Sequence, residues 1–282
     1  HAWGLPYVAT LMGLKQVYPG AYHPERLLRL IEREAVTFSH CVPTILHMLL
    51  NHPLVNEIDL TRWKVIIGGS ALPQAMALAA RKKGIDVFTG YGMSETCPIL
   101  TLAHLPTASA GLPPEEQAAL RSKTGLPLPL VDLRVVDADM NDLPHDGLSA
   151  GEVVVRAPWL TQGYLGNPEA SEELWAGGYL HTGDIGHIDS YGYLRITDRV
   201  KDVIKTAGEW TSSLQLEDVL LQHPAVQEVA VIAQRDAKWG ERPLALVRLK
   251  PEFTDEIGEA ALRKHVAQAA ELEGLSRYAI LV

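Results

Sequence analysis

Residues Trp63 to Gly92 read WKVIIGGSALPQAMALAARKKGIDVFTGYG. Trp63-Lys64-Val65-Ile66-Ile67 is a short apolar run ending in Gly68-Gly69-Ser70, the pattern of a buried strand entering a turn. Pro73 to Lys83 predicts a helix, which Gly84 stops. Asp86-Val87-Phe88-Thr89 is a second strand and runs into Gly90-Tyr91-Gly92. Two strands joined through a helix make a βαβ unit, and the unit implies parallel pairing. Upstream the same alternation holds. Pro24 to Glu34 carries Leu27, Leu28, Leu30 and Ile31 at helical spacing, Phe38 to Val42 is strand-like, and Pro43 opens an apolar helix that ends before His52-Pro53. The βαβαβ order predicts an α/β layer with a largely parallel sheet.

After Pro127 the pattern changes. Val131 to Val136 and Glu152 to Arg156 alternate at period two, and short strands with glycine turns continue to Ile196. This predicts a small antiparallel β-barrel module. Beyond it come a helix (Ser213 to Gln222), two strands (Val226 to Ile232, Leu244 to Leu249) and a helix (Glu259 to Ala270), a smaller α+β lid domain. The boundary is expected at Asp198 to Lys201, giving a large domain of 1–198 and a small one of 199–282.

Composition narrows the function classes. The chain has 282 residues, 47% hydrophobic and 21% charged, which excludes wholesale disorder. Its net charge of −9 disfavours non-specific nucleic-acid binding, so an anionic substrate must be met by backbone amides, a metal or a few placed cations. No apolar run approaches the roughly 18 residues of a membrane span, and no signal peptide is visible. Cys41 and Cys97 are too far apart in sequence for a CxxC site, and lone cysteines fit a cytoplasmic setting. His1-Ala2-Trp3 is no initiator sequence, and Ile280-Leu281-Val282 stops in an apolar run, so both ends read as cut.

Four stretches carry chemistry, each with an ordinary alternative. Gly90-Tyr91-Gly92-Met93-Ser94-Glu95-Thr96 follows a strand. Its glycines let backbone approach a ligand, Tyr91 offers an aromatic face, Ser94 a hydroxyl for phosphate, and Glu95 a hard oxygen for Mg²⁺. It could equally be a glycine turn with a solvated glutamate, and it matches neither GxGxxG nor GxSxG. Gly68 to Pro73 leaves amides at a helix start, or is a tight βα turn. His181-Thr182-Gly183-Asp184 and Asp198-Arg199-Val200-Lys201-Asp202 could grip a ribose through carboxylate and guanidinium, or be a turn and a surface ion pair. Lys201 to Ser213 ends in Ser212 or Ser213 as a helix cap with Glu217 in the first turns, and Gly208 would let a thin substrate arm pass. The alternative is a capped helix with Trp210 in the core. No Walker loop, HExxH or EF-hand is present, the histidines do not cluster, and Trp159 and Trp175 read as packing residues.

In order and spacing, Tyr91-Gly92-Met93-Ser94-Glu95, Tyr179 to Asp184 and Asp198 to Lys205 resemble the AMP-forming adenylate-forming superfamily. Gly208-Glu209-Trp210-Thr211-Ser212-Ser213 to Glu217, Ala2 to Tyr7 and Lys238 to Pro243 are similar to its bacterial medium- and long-chain fatty-acid–CoA ligases, a branch that includes methylmercaptopropionate enzymes. The resemblance implies acyl-AMP formation from a carboxylate and ATP, then thiol transfer to coenzyme A. The implied partners are a small carboxylic acid such as a fatty acid, ATP or AMP, Mg²⁺ and CoA, with a homodimer as the assembly to look for. It implies Gly69, Ser70, Ala71, Gly90, Tyr91, Gly92 and Met93 around the nucleotide, Ser94 (a hydroxyl where the family usually has Thr) at the α-phosphate, and Glu95 on Mg²⁺. Asp184 and Arg199 would hold the ribose and Lys201 the hinge. Lys205 would belong to the cofactor-binding set, and Gly208 and Trp210 to the pantetheine tunnel. Trp3, Tyr7, Val42 and Cys97 are acyl-pocket candidates. The family's phosphate loop would fall before His1 and its catalytic lysine after Val282, so the chain is expected not to complete adenylation efficiently by itself. An aryl or methylthio acid ligase and a non-catalytic nucleotide-binding remnant stay open; an α/β hydrolase is disfavoured by the missing GxSxG.

Overall fold

The computed structural model describes residues 4–109, 111–201, 203–206, 209–253 and 257–273. The chain divides into two compact units, one of residues 1–182 and 187–196, the other of 183–186 and 197–282. In chain order, the first unit starts with helices α1 (Leu5–Leu11) and α2 (Pro24–Arg33), strand β1 (Phe38–Cys41), α3 (Pro43–Leu50), β2 (Lys64–Ile67), α4 (Gln74–Lys82) and β3 (Asp86–Gly92). It continues with β4 (Ile99–Leu102), α5 (Pro114–Ser122), β5 (Leu126–Pro127), β6 (Asp132–Val136), β7 (Gly151–Arg156) and α6 (Pro168–Leu174). Strands β8 (Leu180–Ile188) and β9 (Leu194–Arg199) contribute residues to both units. Proline occupies the first turn of α2, α3, α5 and α6, where its missing N–H costs nothing and its φ is preset.

The first sheet runs β1-β2-β3-β4-β5. Strands β1, β2 and β3 are parallel, as the βαβαβ order predicts, with Cys41 opposite Ile67 and Ile67 opposite Thr89. The sheet is mixed rather than largely parallel, because β4 and β5 pair antiparallel. The connection from Gly92 to Ile99 is a turn of a few residues, too short for the crossover of roughly a dozen that parallel pairing needs. Leu28, Leu46, Val65, Ile67, Ala77, Ala80 and Val87 are fully buried in the core of this layer. Ala77 and Ala80 sit three residues apart on α4, so that helix presents methyl-sized side chains to the core. The Trp63 indole closes the layer by donating to Ser39 Oγ at 3.0 Å.

The second sheet of the chain runs β6-β7-β8-β9. It is open, with β6 and β9 as its edges, and no barrel closes among the described residues; this corrects the expected barrel. Four strands are too few to bring the first beside the last without strong curvature. Leu100, Val135, Val153, Val155, Leu180 and Leu194 fill its core, and Trp159 and Trp175 pack against them. Gly125 ties the two sheets together. It exchanges backbone hydrogen bonds with Leu194 at 2.9 and 3.2 Å, and a β-carbon there would stand 2.3 Å from the Leu102 carbonyl carbon.

The second unit holds β10 (Ile204–Thr206), β11 (Glu209–Thr211), α7 (Ser213–Leu221), β12 (Val226–Asp236), β13 (Gly240–Leu249) and α8 (Glu259–Glu273). Its sheet order is β11-β10-β13-β12. Ile204, Leu216, Val219, Leu220, Ala245 and Leu262 form its core. The two strands expected around 226–232 and 244–249 are longer and form one hairpin. The Asp236 carboxylate accepts from the Lys238 and Trp239 amides at 2.8 and 2.9 Å, which closes the turn.

Gly92 leaves no room for a side chain. A β-carbon there would meet the Pro98 carbonyl oxygen at 1.7 Å. Gly92→Ala is expected to cost about 1–3 kcal/mol or more, roughly 2–4 °C of melting temperature per kcal/mol. Gly111→Ala, with nothing within 4 Å, is the control and should leave thermal unfolding by circular dichroism unchanged.

Candidate functional site

The three parallel strands of the first unit deliver their carboxyl ends to one edge of the sheet. Val42 follows β1 there, Gly68 to Pro73 follow β2, and Gly90 to Met93 end β3. Open α/β sheets bind ligands in the crevice at this edge. Gly69 has φ +85°, which a side chain would strain, and its absent β-carbon faces Val42 Cγ1 at 3.4 Å. Ser70 and Ala71 are exposed, ahead of α4. The structure thus brings Gly69, Ser70, Ala71, Val42, Gly90, Tyr91, Gly92 and Met93 to one end of one sheet.

At Gly92 the reason for glycine is internal. The space of its side chain is taken by the β4 backbone, not kept for a ligand. Tyr91 is half-buried and packs against the core of the second sheet. Ser94 to Thr96 form one 3₁₀ turn. Thr96, fully buried, holds it: its hydroxyl accepts from the Met93 amide at 2.9 Å and also contacts the Met93 and Pro98 carbonyls. This turn leaves Ser94 exposed and Glu95 half-buried.

Glu95 is held from a distant segment. The Thr161 amide donates to the Glu95 carbonyl at 2.9 Å, and the Tyr164 hydroxyl donates to Glu95 Oε1 at 2.9 Å. Burial, helped by the Glu95 carboxylate, raises the Tyr164 pKa, so the phenol keeps its proton. Sequence reading missed Tyr164, since 69 residues separate it from its partner. No group of three or more His, Cys, Asp or Glu suited to a metal occurs among the described residues.

In the second unit Asp184 is 3% exposed, and Arg199 Nε donates to its Oδ1 at 2.9 Å. The two residues expected to share a ribose are thus joined, with the Arg199 side chain 54% exposed. Gly183, at φ +68°, gives its carbonyl to the Val200 amide at 2.8 Å, which keeps the two segments in step.

Helix α7 starts beside a buried carboxylate. Asp198, 2% exposed, accepts from the Ser213 amide at 2.6 Å and the Ser213 hydroxyl at 3.0 Å. Ser212 donates to the Thr197 carbonyl at 2.5 Å. A carboxylate satisfies an orphan helix amide better than a hydroxyl, through charge and the helix dipole. Glu217 is drawn away from the helix end, its Oε1 accepting from the Val231 amide at 2.8 Å. Asp198 stood in a quoted motif, but no local signal marked its contact with Ser213.

The remaining expected residues are scattered. Lys201 is exposed in a turn. Lys205 and Trp210 are register partners across β10 and β11. Gly208 and Trp3 lie outside the described residues. Tyr7 is 74% exposed on α1, Val42 40% exposed, and Cys97 exposed after the 3₁₀ turn.

The profile of the family described as AMP-binding enzyme matches residues 1–165, and that of its C-terminal domain matches 215–280. A long-chain-fatty-acid–CoA ligase of Thermus thermophilus is 42% identical over 95% of this chain and 50% of its own length. A 3-methylmercaptopropionyl-CoA ligase of Ruegeria lacuscaerulensis is 42% identical over 90% of this chain and 47% of its own. The chain thus spans about half the length of the curated relatives it matches. The structure of o-succinylbenzoate CoA synthetase from Bacillus subtilis, in complex with an acyl-adenylate intermediate, superposes with a TM-score of 0.80 at 27% identity. That match covers 100% of this chain and 55% of the synthetase.

The two thiols should differ in reactivity. Burial pushes the Cys41 thiol up to about 12, partly offset by the Leu46 backbone, while Cys97 is exposed. At pH 8 a disulfide reagent is expected to label one thiol per native chain quickly and the second only on unfolding. Cys97→Ala should abolish the fast phase.

Proposed function

We propose that this chain, which belongs to the AMP-binding enzyme family, forms the nucleotide-holding part of a carboxylic acid–CoA ligase. The reaction has two half-steps. A carboxylate oxygen attacks the α-phosphorus of ATP, the bond to pyrophosphate breaks, and acyl-AMP forms. The CoA sulfur then attacks the acyl carbon, its proton is lost, and AMP leaves with the bonding pair. No covalent enzyme intermediate is needed, so the protein's work is positioning and charge neutralisation.

The observation that carries this reading is the convergence of the Gly68–Ala71 and Gly90–Glu95 turns at the carboxyl end of adjacent parallel strands. In this reading Gly69, Ser70, Ala71 and Gly90 to Met93 line the adenine, and Ser94 donates to the α-phosphate. Glu95, with one oxygen on Tyr164, is the residue that would hold magnesium, and bound magnesium supplies charge neutralisation on the phosphates. Asp184 accepts from the ribose hydroxyls, steadied by Arg199. Lys201 is the hinge for rotation between half-reactions. Lys205 belongs to the cofactor-binding set, Gly208 and Trp210 serve the CoA arm, and Trp3, Tyr7, Val42 and Cys97 the acyl chain. The relatives support a fatty acid as the carboxylate, with a methylthio acid as the second reading. Two cysteines that are both free thiols support a cytoplasmic setting. No helix among the described residues is long and apolar enough to cross a membrane.

Fatty-acid-dependent ATP–pyrophosphate exchange tests the reading, run on the full product of its gene. Robust exchange is expected in the gene product. Silence of the gene product with every fatty and methylthio acid overturns it. Asp184→Ala is expected to weaken AMP binding about tenfold or more, since each charge-assisted hydrogen bond contributes about 1.5–3 kcal/mol. Unchanged AMP affinity by calorimetry in a folded variant removes Asp184 from the site.

A further inference from the structure

The segment from Thr161 to Trp175 is built to present one side chain. The Trp175 indole donates to the Thr161 carbonyl at 3.1 Å, and the Thr161 amide donates to the Glu95 carbonyl at 2.9 Å. Ser171 Oγ accepts from the Tyr164 amide at 2.8 Å and donates to the Asn167 carbonyl at 2.7 Å. Asn167 caps α6 by accepting from the Ala170 amide at 3.1 Å. A β-carbon at Gly163 would lie 2.7 Å from Ser171 Oγ, so the chain passes close to the helix just before Tyr164. Both ends of residues 161–164 are therefore anchored, and the phenol reaches Glu95 Oε1 at 2.9 Å.

We propose that Tyr164 is a positioning residue for Glu95, pinning Oε1 so that Oε2 is the oxygen presented to a nucleotide-bound divalent cation. This rests on the reading of Glu95 as the magnesium-facing carboxylate. A glutamate has three rotatable side-chain bonds, and a monodentate cation contact needs one oxygen aimed and still. A protonated phenol supplies that restraint without adding a charge that would compete with the cation. Aspartate or lysine in its place would either repel phosphate or neutralise the carboxylate. The carbonyl contact from Thr161 fixes the backbone of the same residue, so Glu95 is held at both main chain and side chain by one segment. That double hold goes beyond what an ordinary surface hydrogen bond provides.

The test uses the chain itself, with ATP titrated by calorimetry at a series of Mg²⁺ concentrations, and AMP titrated without metal. In the unaltered chain Mg²⁺ is expected to strengthen ATP binding. Tyr164→Phe removes only the hydroxyl, so its melting temperature and metal-free AMP affinity should stay put. Its Mg²⁺-dependent gain in ATP affinity should shrink about five- to tenfold, the scale of one hydrogen bond to a charged group. Glu95→Gln should abolish the gain. A Tyr164→Phe chain with the full Mg²⁺ gain overturns the inference while leaving the Glu95 reading intact. Equal losses in AMP affinity and melting temperature overturn it too, since they mark a merely structural role. If Glu95→Gln keeps the gain, or the unaltered chain shows none, the Glu95 reading itself fails and the inference with it.

Discussion

Between Gly92 and the Pro98 carbonyl there is no room for a β-carbon: one placed there would sit 1.7 Å from the oxygen. That single contact sets the geometry at the carboxyl end of β3. It lets β4 fold back on β3 directly after the parallel strands end, and it leaves only the Met93–Cys97 turn to make the reversal. A turn that short must satisfy its own backbone, and the fully buried Thr96 hydroxyl does so by facing Met93 and Pro98 together. Ser94 and Glu95 sit on the outside of that turn as a consequence. The exposure of Ser94 is thus a product of strand reversal.

A comparable constraint organises the second unit. Asp198 is buried at 2% exposure, and its carboxylate accepts from two Ser213 donors and from the Arg199 amide, the last at 2.7 Å. A buried carboxylate without such donors would be costly. The Asp198–Ser213 contact therefore binds the start of α7 to the end of β9, and Arg199, next in the chain, is delivered to Asp184. The ion pair and the Asp198 contact to α7 are neighbours on one strand, so the Asp184–Arg199 pair inherits its position from a structural bond.

Much of the architecture was legible in the residues. The helix over Pro24–Arg33, the strands at Phe38–Cys41 and Lys64–Ile67 and the helix Gln74–Lys82 follow from apolar period, proline at helix starts and glycine at turns. These are local signals, and local signals survive folding. The mixed sheet, the open β6–β9 sheet and the long hairpin to Asp236 and Gly240 were misjudged, because strand direction and closure depend on which edges meet. The hold of Asp198 on the start of α7 was not legible for the same kind of reason: the carboxylate lies fifteen residues from Ser213.

The sequence by itself determined the order of elements, the glycine turns after two parallel strands and the motif set that ties the chain to its family. Periodicity and turn chemistry are properties of neighbouring residues, and motif spacing is read along the chain. Only the tertiary structure decided that Gly92 serves a strand contact, that Asp184 and Arg199 form a 2.9 Å pair, and that Tyr164 holds Glu95. Each of these joins residues whose separation along the chain carries no signal. Hydrogen bonds and steric contacts act over a few ångströms of space, and only folding brings such partners within that range.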